Sequence, residues 1–174
     1  MKNRLKLQSL CPDTITIERI KEIHPKLKTE LSEIYSEIVE RNLPVRFTDV
    51  FRSIADQNVL FEQGRSKPGR VVTHARGGQS FHNYGLAVDF CLLTMDANDT
   101  PSAIWEMQTD FNKNSQNDWG EVVFIFKHFG WEWGGEWIKF TDTPHFQKTF
   151  NYTTKDLLDK HQNGEVDTEG YVHL

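Results

Sequence analysis

The sequence predicts an α+β domain in which helices pack on an antiparallel sheet. Three observations carry this expectation. An apolar stripe of helical period runs through residues 16–42, short runs of β-formers stand at 45–51 and 86–93, and a capped helical pattern returns at 118–129. At 174 residues the chain suits a small single domain, and two independent cores would be short of material. Hydrophobic residues make up 37% of it, with five Trp, four Tyr and twelve Phe, so there is ample surface to bury and no signature of disorder.

The first helical segment is TIERIKEIHPKLKTELSEIYSEIVERN, residues 16–42. Ile20, Ile23, Leu27, Leu31, Ile34 and Ile38 recur every three or four residues, with Lys and Glu over the remaining surface. Pro25 interrupts the stripe, and a proline is best tolerated in a first turn, where its missing N–H has no intrahelical partner. A short helix, a break near His24 and a longer helix from 25 to about 41 are therefore expected, with His24 as a helix-entry residue rather than a ligand. Residues 45–51 read as a strand. Ser53 then caps a helix over IADQNVLFEQ, with Asp56 as its capping-box partner and Gly64 as terminator. RSKPGRVVTHARGGQS has no period and is expected to be a long surface loop, functional or mobile.

LAVDFCLL, residues 86–93, reads as a buried strand. Alternation puts Ala87, Asp89 and Cys91 on one face and Val88, Phe90 and Leu92 on the other. An ionised Asp in such a strand has to be paired, hydrogen-bonded or bound to a metal, because burying it alone costs several kcal/mol. Residues 94–118 read as polar and irregular, with Trp105 and Met107 as anchors for a short helical turn. Asn117 or Asp118 caps a helix carrying Trp119, Val122, Val123, Phe126 and Phe129 and ending at Gly130. Short strands and tight Gly turns follow in WEWGGEWIKFTDTPHFQ, then a short helix near 154–161 and an acidic tail.

Composition narrows the function. The net charge of -5 offers no electropositive field for a phosphate backbone, so nucleic acid is not an expected partner. Cys11 and Cys91 form no CxxC pair and are expected to be buried or idle thiols. No segment reaches the ~20 apolar residues of a membrane span, and the N-terminus has no continuous apolar h-region, so neither membrane insertion nor a signal peptide is expected.

Two places combine imidazole and carboxylate within apolar surroundings: His82 with Asp89, and Asp142 with His145. A hydrolytic zinc needs three protein ligands and one open position, which two His and one Asp can supply while the fourth residue serves as base. The helix-borne HExxH pattern is absent. On spacing alone, a structural histidine at 82 or 145 and a turn-forming role for Asp142 in ThrAspThrPro remain open.

SFHNYGLAVDF, with WEWGGEW and DTPHF downstream, resembles the zinc DD-/LD-peptidases related to VanX and VanY, and within them the L-alanyl-D-glutamate peptidases of phage endolysins. The resemblance runs from about residue 44 to 150. It implies a DD-peptidase or hedgehog-like zinc fold, with His82, Asp89 and His145 as Zn2+ ligands and Asp142 as the catalytic base. Asp142 stands where the VanX and VanY branches usually carry Glu, as in the endolysin-like branch. The resemblance also gives Arg52 in DVFRS, Gln57 and Ser80 substrate-binding roles, and makes Trp137 a candidate wall residue. An Arg can orient a carboxylate or carbonyl by a forked hydrogen bond that Lys does not reproduce. Trp131, Trp133 and Trp137 also suit a core around a Gly turn.

The expected function is zinc-dependent hydrolysis of a peptide bond in peptidoglycan stem peptides, L-Ala–D-Glu in particular. The rivals are a D-alanyl-D-alanine dipeptidase or carboxypeptidase, and a non-catalytic zinc-dependent interaction domain. Residues 1–153 are expected to form the peptidase domain with its N-terminal helical segment. Residues 154–174 add a helix and tail without independent folding. A monomer is expected, made in the cytoplasm and reaching the wall by lysis or a non-classical route.

Overall fold

The computed structural model of the chain describes residues 12–96 and 100–174. Helix α1 (Thr14–Ile20) begins where the Asp13 carboxylate accepts from Thr16 N at 2.9 Å. Asp13 is also paired with Arg46, Nη2 to Oδ1 2.7 Å, which ties this helix to the first strand. The break at Pro25 is a single 3-10 turn, Pro25–Leu27, followed by α2 (Lys28–Glu40). His24 caps that turn as expected: its Nδ1 accepts from Lys26 N at 3.2 Å. Strand β1 (Val45–Asp49) leads to α3 (Ile54–Glu62), capped by the Ser53 hydroxyl on Asp56 N at 3.0 Å.

Strand β2 (Ala87–Met95) is the centre of the sheet. The antiparallel order is β1-β2-β5-β4, with β5 at His145–Gln147 and β4 at Glu132–Trp133, and β3 (Pro101–Ile104) pairs with the far end of β2. Strand β3 lies within a segment expected to be irregular. Its residues, PSAI, are mostly exposed and carry no alternation, so only pairing with Leu92–Met95 makes them a strand. Trp105 remains exposed, while Met107 packs on the core.

The predicted alternation of β2 decides the architecture. Val88, Phe90 and Leu92 belong to the main core, under α2 and α4 (Asp118–His128). Phe90 lies 4.3 Å from the Trp119 ring and 5.5 Å from Phe146, and Phe146 stacks on Phe126 at 4.1 Å. Truncating such a ring to Ala costs about 3–5 kcal/mol. Ala87, Asp89 and Cys91 take the opposite face, where burial pushes the Cys91 thiol up to about 11 and leaves it unreactive. Cys11 lies outside the described residues.

Helix α5 (Thr154–Gln162) starts at a capping box formed by Thr153 and Asp156. The chain after it folds back through a bridge between Val166 and Val172, and Val172 is buried against the break before α2. There the Val172 carbonyl meets His24 Nε2 at 2.9 Å, and Tyr171 OH donates to Glu22 O at 2.9 Å. No helix among the described residues is long and apolar enough to cross a membrane.

Candidate metal centre

Three elements converge on the face of the sheet opposite the core. Asp89 on β2 and His145 on β5 are direct antiparallel partners, and so share a face at the closest cross-strand spacing. His82 comes from the 3-10 turn Phe81–Tyr84, which ends at Gly85 with φ 64°. A Cβ at Gly85 would stand 2.7 Å from His24 N, so both conformation and close approach call for glycine. Buried Asn83 locks the turn in place: its Oδ1 accepts from Gly78 N at 2.9 Å and its Nδ2 donates to Arg52 O at 2.9 Å.

His82 Nε2 lies 3.2 Å and His145 Nδ1 2.9 Å from Asp89 Oδ1, and one ligand atom from each of the three residues lies within 4.8 Å of the others. The outer nitrogens set the tautomers. His82 Nδ1 faces the Val50 carbonyl at 3.3 Å and His145 Nε2 faces Gln147 Oε1 at 3.2 Å. Gln147 is itself oriented by donating Nε2 to Glu132 Oε2 at 2.9 Å. Both imidazoles have an outer acceptor that can take their proton, which leaves the inner nitrogens able to present lone pairs to an ion held against Asp89. His82 Nε2 is buried and makes no hydrogen bond. Burial works to raise the Asp89 carboxyl, but with no ion between them the charge and N–H groups of protonated His82 and His145 outweigh it and hold the group well below the usual carboxylate range. Two nitrogens and one oxygen facing inward, with one nitrogen orphaned, fit the donor set of a tetrahedral divalent ion with one open position.

Asp142 faces the same cleft, and three contacts fix its turn. Its N–H donates to Gly134 O at 3.0 Å, its carbonyl accepts from His145 N at 3.3 Å, and Trp133 Nε1 donates to Thr143 O at 2.7 Å. A Cβ on Gly134 would meet Asp142 O at 2.5 Å, so the WGG segment lets this backbone approach. Burial, then the Asp89 charge, raises the Asp142 carboxyl, while the imidazoles act in the opposite sense. Of the three tryptophans, Trp131 packs on Phe126 and Trp133 braces the Asp142 turn, whereas Trp137 lines the cleft 5.2 Å from the His145 ring.

The cleft measures about 730 Å³ and is lined also by Arg52, Ser80, Lys139 and the 72–75 loop. His74 from that loop meets Phe140 edge-on at 6.1 Å, so the long loop forms one wall. Arg52 pairs with Asp49 and donates Nη1 to Gln57 Oε1 at 2.8 Å. Gln57 stands behind this wall: it is fully buried, and its Nε2 donates to Ala75 O at 2.9 Å. Its contacts are with Arg52 and the loop. Gln147 and Glu132 are the residues that motif reading misses, although alternation along HFQ sets Gln147 on the same face as His145.

This fold and site define a metallopeptidase of the M15 type, and residues 73–148 match the family model described as D-alanyl-D-alanine carboxypeptidase. Over 126 residues the chain is 44% identical to the peptidoglycan L-alanyl-D-glutamate endopeptidase CwlK of Bacillus subtilis (strain 168), an alignment covering 72% of this chain and 73% of that protein. The chain belongs to the M15 peptidase family. The crystal structure of the L-Ala D-Glu endopeptidase ChiX of Serratia marcescens shares the fold, with a TM-score of 0.55 and 22% identity over 84% of this chain and 95% of that one.

Proposed function

We propose that the chain is a zinc-dependent peptidase that cleaves the L-alanyl-D-glutamate bond of peptidoglycan stem peptides. The observation that carries this reading is the convergence of His82 Nε2, Asp89 Oδ1 and His145 Nδ1 beside Asp142, in a chain 44% identical to CwlK. Those three atoms would hold Zn2+, which when bound supplies a Lewis acid for the scissile carbonyl and makes water a competent nucleophile near neutral pH. The Asp142 carboxylate takes the proton of the attacking water and returns it to the departing amine of the D-glutamyl residue. Its raised affinity for protons favours the first transfer, in which it acts as the base. Arg52, held by Asp49 and Gln57, keeps further N–H donors of its fork for a substrate carbonyl or carboxylate. Ser80 and Trp137 line the groove in which the peptide lies.

The test is digestion of purified peptidoglycan, with products read by mass spectrometry. Cleavage at the proposed bond gives peptides with a new D-glutamyl amino terminus and leaves L-Ala on the muramic acid. Release of D-Ala alone would support the carboxypeptidase chemistry in the family model's description. Zinc-dependent stability with no product would make the domain a binding module.

A further inference from the structure

The segment before α4 has chemistry that hydrolysis does not use. Residues 110–121 read DFNKNSQNDWGE, which puts Asp110, Asn112, Asn114, Gln116, Asp118 and Glu121 at positions one, three, five, seven, nine and twelve. Loops that bind calcium between helices take oxygen ligands from those positions, the seventh through its carbonyl and the twelfth through a bidentate Glu. Their sixth residue is normally Gly, because the chain turns sharply there. Ser115 holds that position here with φ 73°, so the turn forms without glycine.

The chain folds as such a loop. Asp110 Oδ1 accepts from Asn114 N at 3.1 Å and Oδ2 from Ser115 N at 3.0 Å, and Asn114 Oδ1 accepts from Gln116 N at 2.8 Å. Glu121 is buried in the first turn of α4, its Oε2 accepting from Asn112 Nδ2 at 2.9 Å and its Oε1 lying 3.8 Å from Arg41 Nη1. The feature that points to a ligand is Asp118. Its side chain is wholly buried and held within the loop by Phe111 N, 2.8 Å from Oδ2, yet Oδ1 has no hydrogen-bond partner. A buried carboxylate oxygen without a partner is costly unless a cation faces it.

We infer that residues 110–121 form a second metal site, for a hard divalent cation of the calcium kind, with Asp110, Asn112, Asn114, the Gln116 carbonyl, Asp118 and Glu121 as oxygen ligands. Its role is structural. Trp119, at position ten of the loop, packs on Phe90, the neighbour of Asp89 on β2, so an ion here fastens the start of α4 to the strand that carries the peptidase site.

The experiment titrates the full-length, zinc-loaded protein with Ca2+ and separately with Mg2+ while following Tm, and with Tb3+ while exciting tryptophan. The expected result is a saturable rise in Tm of roughly 5–10 °C at one hundred times Kd for Ca2+. Mg2+ gives a much smaller shift, and Tb3+ emission sensitised by Trp119 is displaced by Ca2+. Both signals weaken by at least tenfold in ion affinity in Glu121→Gln and in Asp118→Asn. If the buried Asp118→Asn variant does not fold, Asp110→Asn takes its place, because the amide oxygen still accepts the loop N–H groups. A wild-type protein that shows no saturable response to Ca2+ or Tb3+ overturns the inference. So does a response undiminished in the variants, which would put the ion elsewhere, or an equal response to Mg2+, which would remove the calcium assignment.

Discussion

Gln147 Oε1 stands 3.2 Å from His145 Nε2, on the side of the ring away from Asp89. The glutamine cannot turn its amide nitrogen to the histidine without losing its bond to Glu132 Oε2, so the acceptor stays in place and, in the proposed metal centre, leaves Nδ1 to serve as the ligand atom. Partners of this kind are worth about 10–100-fold in metal affinity. Gln147→Met should therefore weaken Zn2+ binding by about that factor while leaving the fold intact, as read by competition with a chromophoric chelator. An unchanged zinc affinity would mean that packing alone orients the His145 ring.

Asp142 is assigned proton transfer and no part in holding the ion. Asp142→Asn should bind zinc at the wild-type ratio and lower turnover on muropeptides by about 100-fold or more. Metal analysis of the purified variant distinguishes the roles, because a ligand would take the zinc with it. His82→Ala and His145→Ala should lose both metal and activity.

In the proposed function Gln57 acts on substrate only through Arg52 and the loop at residues 73–75, which its side chain contacts. Gln57→Leu leaves Arg52 Nη1 and the Ala75 carbonyl without their partners, and such losses cost about 1–3 kcal/mol each when buried. The variant should unfold at lower denaturant and raise KM several-fold, with zinc content unchanged. Arg52→Lys keeps the charge and loses the fork, and should lower kcat/KM by about 10-fold or more. Steady-state kinetics on one defined muropeptide would compare the two, and equal KM values in Gln57→Leu and wild type would remove the positioning role.

Much of this molecule is legible along the chain because the relevant signals are local. The stripe from Ile20 to Ile38 gives the broken helix, and the alternation Val88, Phe90, Leu92 against Ala87, Asp89, Cys91 separates the core face from the site face. His82 and Asp89 fall within one recognisable stretch. Their meeting with His145 is a pairing across 56 residues, from Asp89 to His145, which no periodicity encodes and which only family resemblance anticipates. Strand β3 is hidden for the same reason, since its partner rather than its own residues makes it extended. The loop at 110–121 is obscured differently: judged by hydrophobic period it looks like irregular polar chain, because a loop organised by Asp and Asn oxygens has no such period.

His24 links stability to pH far from the cleft. The ring is buried, its Nε2–H donates to Val172 O, and its Nδ1 accepts from Lys26 N, so only the neutral ring satisfies both bonds. Burial lowers its affinity for protons, with Lys26 and Lys28 acting in the same sense and the Val172 bond and the Asp167 charge opposing them. Tyr171 covers the ring edge-on at 5.5 Å. A folded-state value below the ordinary 6.5 means that the unfolded chain binds the proton more readily. The stabilisation is therefore complete above about 6.5 and is lost as pH falls from there through the folded-state value. Asn at this position can still accept from Lys26 N but does not titrate in this range. Urea midpoints at pH 7.5 and pH 5.5, measured for metal-free wild type and His24→Asn, cancel the groups common to both. The wild type should lose more stability on acidification than the variant, and an equal loss would show that His24 is not the group responsible.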